Sequence, residues 1–428
     1  MSQRDVRSRY LPFIEAAVIG LMAGGTGFLF QQVVGWIGSI RVDLAHHSAS
    51  WLTLPLMGLT CGYISGLLVV KFAPEASGSG IPRLKGILHG HNLPLTLRTA
   101  VVKFLGGVLT LGAGLRLGRE GPTVQISAAL AKSSHKWWPK FRNYQRQLIA
   151  AGAGAGLAAA FNTPIAGLLF VIEELMQDFS NLTLGTAILA CFVSALISEA
   201  LGSVWLGIEF PTSSVGLTSP KAILILVFVG LSAGVLGAMF NRAVLYSTRI
   251  QRTLSWGLPT RVAFAGLLSG LVIAILPATF DDSTGMKELI ITNNLDWRIA
   301  ALAFGGQFLL TTIAYGSGAV GGLFTPVLIL GGTLGYLINV SANLFPGDEL
   351  SATYALAGMG AMFSATIRVP ITAIVIIFEM TKDFNLILPL MLVSVIAYIV
   401  GDSLAPGSLY DRLLEQMGIY LEHSEPSE

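Results

Sequence analysis

Apolar runs recur along this chain from end to end: Ala16–Phe30, Trp51–Val70, Leu182–Ile197, Ala222–Phe240, Val262–Leu276 and Leu386–Val400. About 20 apolar residues in a helix cross a bilayer, and shorter runs serve as half-spanning elements. Lipid offers no hydrogen bonds, so each segment must satisfy its own backbone, which narrows the fold to an all-α polytopic membrane protein. Composition agrees, since only 12% of residues are charged against about 25% in a soluble domain. The first run follows a short basic tail and no small-residue cleavage site, so it is expected to remain as a helix.

The chain also repeats itself. Ile19-Gly20-Leu21-Met22-Ala23-Gly24, with Gly27 and Phe30, returns as Val229-Gly230-Leu231-Ser232-Ala233-Gly234 with Gly237 and Phe240. Gly58-Leu59 with Gly62 returns as Gly266-Leu267 with Gly270, and Gly118 with Pro122 as Gly322 with Pro326. Ala151-Gly152-Ala153-Gly154-Ala155, with Pro164-Ile165 and Glu173, returns as Ala357-Gly358-Met359-Gly360-Ala361 with Pro370-Ile371 and Glu379. One match alone would mean little, because small residues crowd packed membrane helices. Four in register, at an offset close to half the chain, point to a duplication. The expected organisation is one membrane domain over 1–428, with repeats at 11–205 and 220–403 and a C-terminal helix and tail at 404–428.

Duplicated membrane folds place their substrate near the midplane, at the repeat interface, on the N-termini of broken helices. Glycine and proline mark three such breaks: Gly78-Ser79-Gly80-Ile81-Pro82, Gly118-Arg119-Glu120-Gly121-Pro122 and Gly322-Leu323-Phe324-Thr325-Pro326. A helix start offers free N–H groups and about half a positive charge. Glycine lets the backbone approach a ligand, and proline occupies a position whose donor is spare. Three starts aimed at one point would hold a small anion without a buried cation, and weakly enough to release it. Ser79 would add a hydroxyl. Glu120 stands between two apolar stretches, where an ionisable side chain persists mainly for transport or beside a partner.

Plainer readings stand beside these. Gly78-Ser79-Gly80 alone is also a flexible turn, and it lacks the Gly-Lys-Ser/Thr ending of a phosphate loop. Arg119-Glu120 also reads as an interfacial ion pair, Glu173-Glu174 as a helix end meeting water, and Lys103 either as a side chain snorkelling to headgroups or as a charge that adds positive potential to the pathway. His46-His47 and His89-Gly90-His91 lack a further ligand at metal spacing and read as solvated loops, so no metal is expected. Cys61 and Cys191 each sit in an apolar run and read as packing residues. The net charge of +2 carries no signal for nucleic acid. Arg4, Arg7 and Arg9 before the first run, and Lys132, Lys136, Lys140, Arg142 and Arg146 in one loop, place both segments in the cytoplasm.

The three glycine–proline motifs, in this order and spacing, resemble the signature motifs of the CLC chloride channels and transporters, and the likeness runs from about Ile14 to Leu414. The resemblance implies tilted and broken helices in two inverted-topology repeats, a homodimer in the lipid bilayer, and one anion pathway per subunit. Carried over by position, Ser79 and Tyr410 would give hydroxyls to a central chloride, and the amides of Leu323 and Phe324 would complete it. Tyr410 rests on the local match Ser408-Leu409-Tyr410-Asp411-Arg412-Leu413. Glu120 resembles the family's gating glutamate and external proton site. Glu174 matches the internal proton-transfer glutamate of its exchangers, where channel members usually carry an apolar residue. Glu173 is the lesser candidate, because its repeat mate Glu379 suggests a structural role in both halves.

The leading expectation is a secondary active antiporter in the cell membrane that exchanges chloride for protons, with no other cofactor. A passive voltage- or pH-gated chloride channel of the same fold is the rival. Serine in the first motif resembles chloride-preferring members, whereas nitrate-preferring plant relatives carry proline there and fluoride exporters depart from the motif. Bromide and nitrate are expected to permeate as well. The short polar end beyond Tyr410 suggests a prokaryotic member without cytoplasmic regulatory domains. A membrane-embedded enzyme using Glu120 and Glu174 as an acid–base pair finds no nucleophile elbow or Ser/His constellation to support it.

Overall fold

The computed structural model describes residues 3–47, 49–134, 144–202, 220–275, 296–342 and 352–421. The first half holds α1 (Gln3–His47), α2 (Ser50–Phe72), α3 (Ile81–Leu88), α4 (Leu97–Gly112), α5 (Glu120–Ser134), α6 (Gln145–Phe161), α7 (Pro164–Phe170) and α8 (Asn181–Ala200). The second holds α9 (Pro220–Thr253), α10 (Leu258–Ile275), α11 (Trp297–Gly316), α12 (Phe324–Ala342), α13 (Ala352–Ile367), α14 (Pro370–Thr381) and α15 (Ile387–Leu404), followed by α16 (Leu409–Glu415). Eight segments among the described residues are long and apolar enough to cross a membrane. Outward faces carry large apolar side chains such as Leu224 and Leu388, which lipid solvates and water does not. The expected all-α membrane fold is the one observed. The end of the first repeat at 205, the tail beyond 421, Lys136, Lys140, Arg142 and Leu276 lie outside the described residues, as do the side chains of Arg4, Arg7 and Arg9.

The two halves pack alike: α1 lies on α6 and α8, as α9 lies on α13 and α15. Their mates run in opposite directions. Along α2 and α10, Gly58 meets Gly266, Gly62 meets Val262, Gly66 meets Pro259, and Gly270 meets Leu54. One helix rises as the other descends, so the repeats have inverted topology. The glycines permit this contact: a Cβ on Gly62 would stand 2.7 Å from the Val262 carbonyl oxygen, closer than any side chain tolerates, and small residues let membrane helices touch backbone to backbone.

A second exchange across the same pseudo-two-fold ties the halves together. The Glu173 carboxylate, just after α7, accepts from the amides of Ile371 at 3.1 Å and Thr372 at 2.8 Å, at the start of α14. The Glu379 carboxylate, near the end of α14, accepts from the amides of Ile165 at 3.0 Å and Ala166 at 2.8 Å, at the start of α7. Each glutamate satisfies donors that a helix start leaves without intrahelical partners. Glu173→Gln is expected to lower the thermal unfolding midpoint, at a cost of about 1.5–3 kcal/mol for weakened charge-assisted bonds. Glu379→Gln should cost a similar amount, and thermal unfolding of both variants in detergent checks the pair.

Candidate functional site

The three breaks meet. Gly78 (φ 70°) and Gly80 (φ 87°) both adopt the left-handed conformation, which glycine enters without steric penalty, and their turn delivers the chain into α3. Lys103 of α4 braces that turn: its buried ammonium donates to the carbonyls of Ala76 at 2.9 Å and Gly78 at 2.6 Å. The snorkelling reading is thereby corrected, because loop carbonyls inside the protein satisfy the charge. Gly118 and Gly322 exchange backbone hydrogen bonds of 2.8 and 2.6 Å as an antiparallel bridge, joining the second motif to its repeat mate. A Cβ on Gly121 would come within 3.0 Å of both Gly322 Cα and Ser79, so all three motifs crowd one point. The proline of each sits in the first turn, Pro82 after Ile81 in α3, Pro122 in α5 and Pro326 in α12.

Glu120 is the first residue of α5 and has no exposed surface. Its Oε1 accepts from the Thr325 hydroxyl at 2.5 Å, and its Oε2 faces the Thr325 amide at 3.4 Å. The carboxylate therefore rests on the N-terminus of α12, at the third motif. Any side chain at Gly118 would strike it. Arg119 turns away instead, donating to the Ala160 carbonyl of α6 at 3.2 Å, so the expected alternative of an interfacial Arg119–Glu120 pair is not what forms.

Ser79 is buried, with its hydroxyl 3.3 Å from that of Tyr315 on α11. Tyr410 is fully buried at the start of α16, its ring 6.1 Å from that of Phe324, and its hydroxyl has no partner among the described residues. Leaving a buried hydroxyl unsatisfied costs about 1–3 kcal/mol, so this donor is available to an anion. Leu323 and Phe324 are fully buried, and Phe324 packs edge-on against Phe170 and Phe363.

Past α7 the helix widens into one π turn, Val171–Met176, a distortion that often accompanies function. It carries both adjacent glutamates and sends them to different partners. Glu173 reaches α14, while Glu174, 2% exposed, lies 2.9 Å from Lys85 and 3.2 Å from the Ser408 hydroxyl. The helix-end-meeting-water reading is corrected for Glu174, which faces the interior.

Four contributors escaped the sequence reading. Thr325 sat inside a quoted motif, with its flanking residues named and its hydroxyl passed over. Asp411 stood likewise inside the Tyr410 match. Lys85 had a usable signal: it falls on the apolar stripe Ile81, Leu84, Lys85 and Leu88 of α3, where a charge needs a partner. Tyr315 gave none, since an aromatic in an apolar helix normally reads as packing. Beside Ser79 and Tyr315 lies a cavity of about 140 Å³ that Arg83, Arg252 and Arg261 also line, an arrangement that concentrates anions.

The sequence matches the family model "Voltage gated chloride channel" over residues 61–402. It is 35% identical over 430 aligned residues to the H(+)/Cl(-) exchange transporter ClcA of Salmonella typhi, covering 97% of this chain and 90% of the relative. Against the ClcA of Vibrio cholerae it is 34% identical over 413 residues, covering 93% of this chain and 88% of the relative. Among solved structures, a slow cyanobacterial Cl-/H+ antiporter superposes with a TM-score of 0.87 at 31% identity, over 95% of this chain and 97% of that one. A eukaryotic CLC transporter shares the fold, with a TM-score of 0.80 at 24% identity over 95% of this chain and 74% of that one.

Proposed function

We propose that this chain, which belongs to the voltage gated chloride channel family, is a secondary active transporter that exchanges chloride for protons. The observation that carries this reading is the Glu120 carboxylate seated on the Thr325 amide and hydroxyl. An ionised carboxylate there occupies, as an anion, a helix start suited to chloride. Once protonated it loses that attraction and yields the place, so proton binding and chloride entry become linked.

In this reading Ser79 and Tyr410 give hydroxyls to the central chloride, the backbone at Leu323 and Phe324 completes its cradle, and Glu174 is the second proton station. The buried carboxylate at 174 favours an exchanger over a passive channel, which has no use for a second station. The family is one of transport proteins, and this supports transport over the acid–base enzyme. The same resemblance supports a homodimer, a cytoplasmic N-terminus in the cell membrane, and passage of bromide and nitrate beside chloride. The repeat limits 11–205 and 220–403 are proposed with it.

Purified protein in liposomes, given a chloride gradient and no initial pH gradient, tests the reading. Exchange drives protons against their own gradient and reverses with the chloride gradient. Chloride flux with no proton movement would make the protein a channel. Tyr410→Ala should weaken chloride binding by about 10- to 150-fold, the worth of one hydrogen bond to a charged group at about 1.5–3 kcal/mol. Calorimetric titration with chloride reads this directly, and an unchanged isotherm removes Tyr410 from the site.

A further inference from the structure

Glu174 shares its ammonium with a second carboxylate. Lys85 Nζ lies 2.9 Å from Glu174 Oε1 and 2.6 Å from Asp411 Oδ1. The three come from α3, the π turn and α16, and side-chain exposure rises from 2% at Lys85 and 3% at Glu174 to 17% at Asp411. Among the described residues, the other titratable or charged groups facing this cluster are His89, whose Nδ1 is 2.9 Å from the Lys85 carbonyl oxygen, Arg146, close to His89, and Tyr410, next to Asp411 in the chain and close to Glu174. Glu173 is engaged with α14, and Arg412 pairs with Glu415 at 3.2 Å.

Charge counting gives this arrangement a purpose. A buried Lys85–Glu174 pair alone is neutral, and a proton added to it would leave an uncompensated buried cation, which is strongly unfavourable. Such a pair refuses protons. With Asp411 ionised as well, the triad carries one net negative charge, and a single proton brings it to neutrality.

We propose that Asp411 is the positioning residue that makes Glu174 protonatable, and that the Lys85–Glu174–Asp411 triad takes up one proton as a unit with Asp411 as its solvent-facing mouth. Hydronium gives its proton to an Asp411 carboxylate oxygen and leaves as water. Asp411 then passes the proton to Glu174 and is ionised again, while Lys85 is an ammonium before and after. The inference rests on the assignment of Glu174 as a proton station.

The test compares proton and chloride fluxes in liposomes for Asp411→Asn, Lys85→Met, the double variant Lys85→Met/Asp411→Asn, and Glu174→Gln. An opposite charge within about 4–6 Å holds back protonation of a carboxylate by about 10- to 1000-fold, so Asp411→Asn should lose proton transport to that extent at neutral pH and keep chloride flux. Removing the ammonium as well restores a lone carboxylate, so the double variant should regain coupling. Lys85→Met alone should stay coupled, with the pH profile of proton transport moved upward. Wild-type coupling in Asp411→Asn, or a double variant as uncoupled as Asp411→Asn, overturns the proposal; a merely structural loss would not be rescued by a second substitution. If Asp411→Asn does not reconstitute, the double variant and Asp411→Glu decide, since both are expected to be coupled and loss in the double variant overturns the idea. If Glu174→Gln keeps coupling, the station assignment falls and this inference with it. Coupling lost in Glu174→Gln and kept in Asp411→Asn sinks the inference alone.

Discussion

Replacing Glu120 by glutamine should leave a protein that carries chloride and no longer moves protons. The carboxylate is buried and held by the Thr325 hydroxyl and amide at the start of α12. A glutamine keeps the size and an acceptor oxygen, but it has no charge to set against the helix start and no site for a titrating proton. Proton flux under a chloride gradient should fall to the leak of protein-free vesicles, and chloride flux should persist without the pH dependence of the parent. Glu120→Ala goes further, because removing the carboxylate opens the amide of Thr325 to the transported anion. Proton pumping by either variant at the parental rate would overturn the gating role proposed for Glu120.

The second large effect is expected at Glu174. Glu174→Gln should abolish proton movement while chloride still crosses, because the hydroxyls of Ser79 and Tyr410, proposed to hold the anion, are untouched. Glu173→Gln makes the comparison sharp: adjacent in sequence and identical in chemistry, it should lower stability and leave proton coupling in place. Coupling lost in Glu173→Gln and kept in Glu174→Gln would exchange their roles. Paired measurements of flux ratio and thermal unfolding on the two variants separate a proton station from a helix cap.

Much of this was legible in the sequence because its causes are local. The apolar runs became helices, since lipid leaves the backbone no alternative. The breaks at Gly78–Pro82, Gly118–Pro122 and Gly322–Pro326 became helix starts because glycine and proline act on their own φ angles and donors. Matching Glu173 to Glu379 in the repeat already pointed to a shared structural role, and the reciprocal caps on α14 and α7 give it physical form. Buried Cys191 has the packing role expected of it, pressed against Gly154 and Gly167.

Other features had no local cause to read. Neither Lys103 nor Lys85 announces its partners, because one is bonded to carbonyls in a preceding loop and the other to carboxylates in the π turn and α16. The sequence by itself determined the membrane class, the duplication, the helix breaks and the residues able to titrate, since hydropathy, spacing and backbone preference follow from neighbouring residues alone. Only the tertiary structure decided that Glu120 leans on Thr325, that Glu174 and not Glu173 turns inward, and that Lys85 joins Glu174 to Asp411. Those outcomes depend on electrostatic and packing contacts between segments far apart in the chain, where the energy of a buried charge is set by whatever the fold brings beside it.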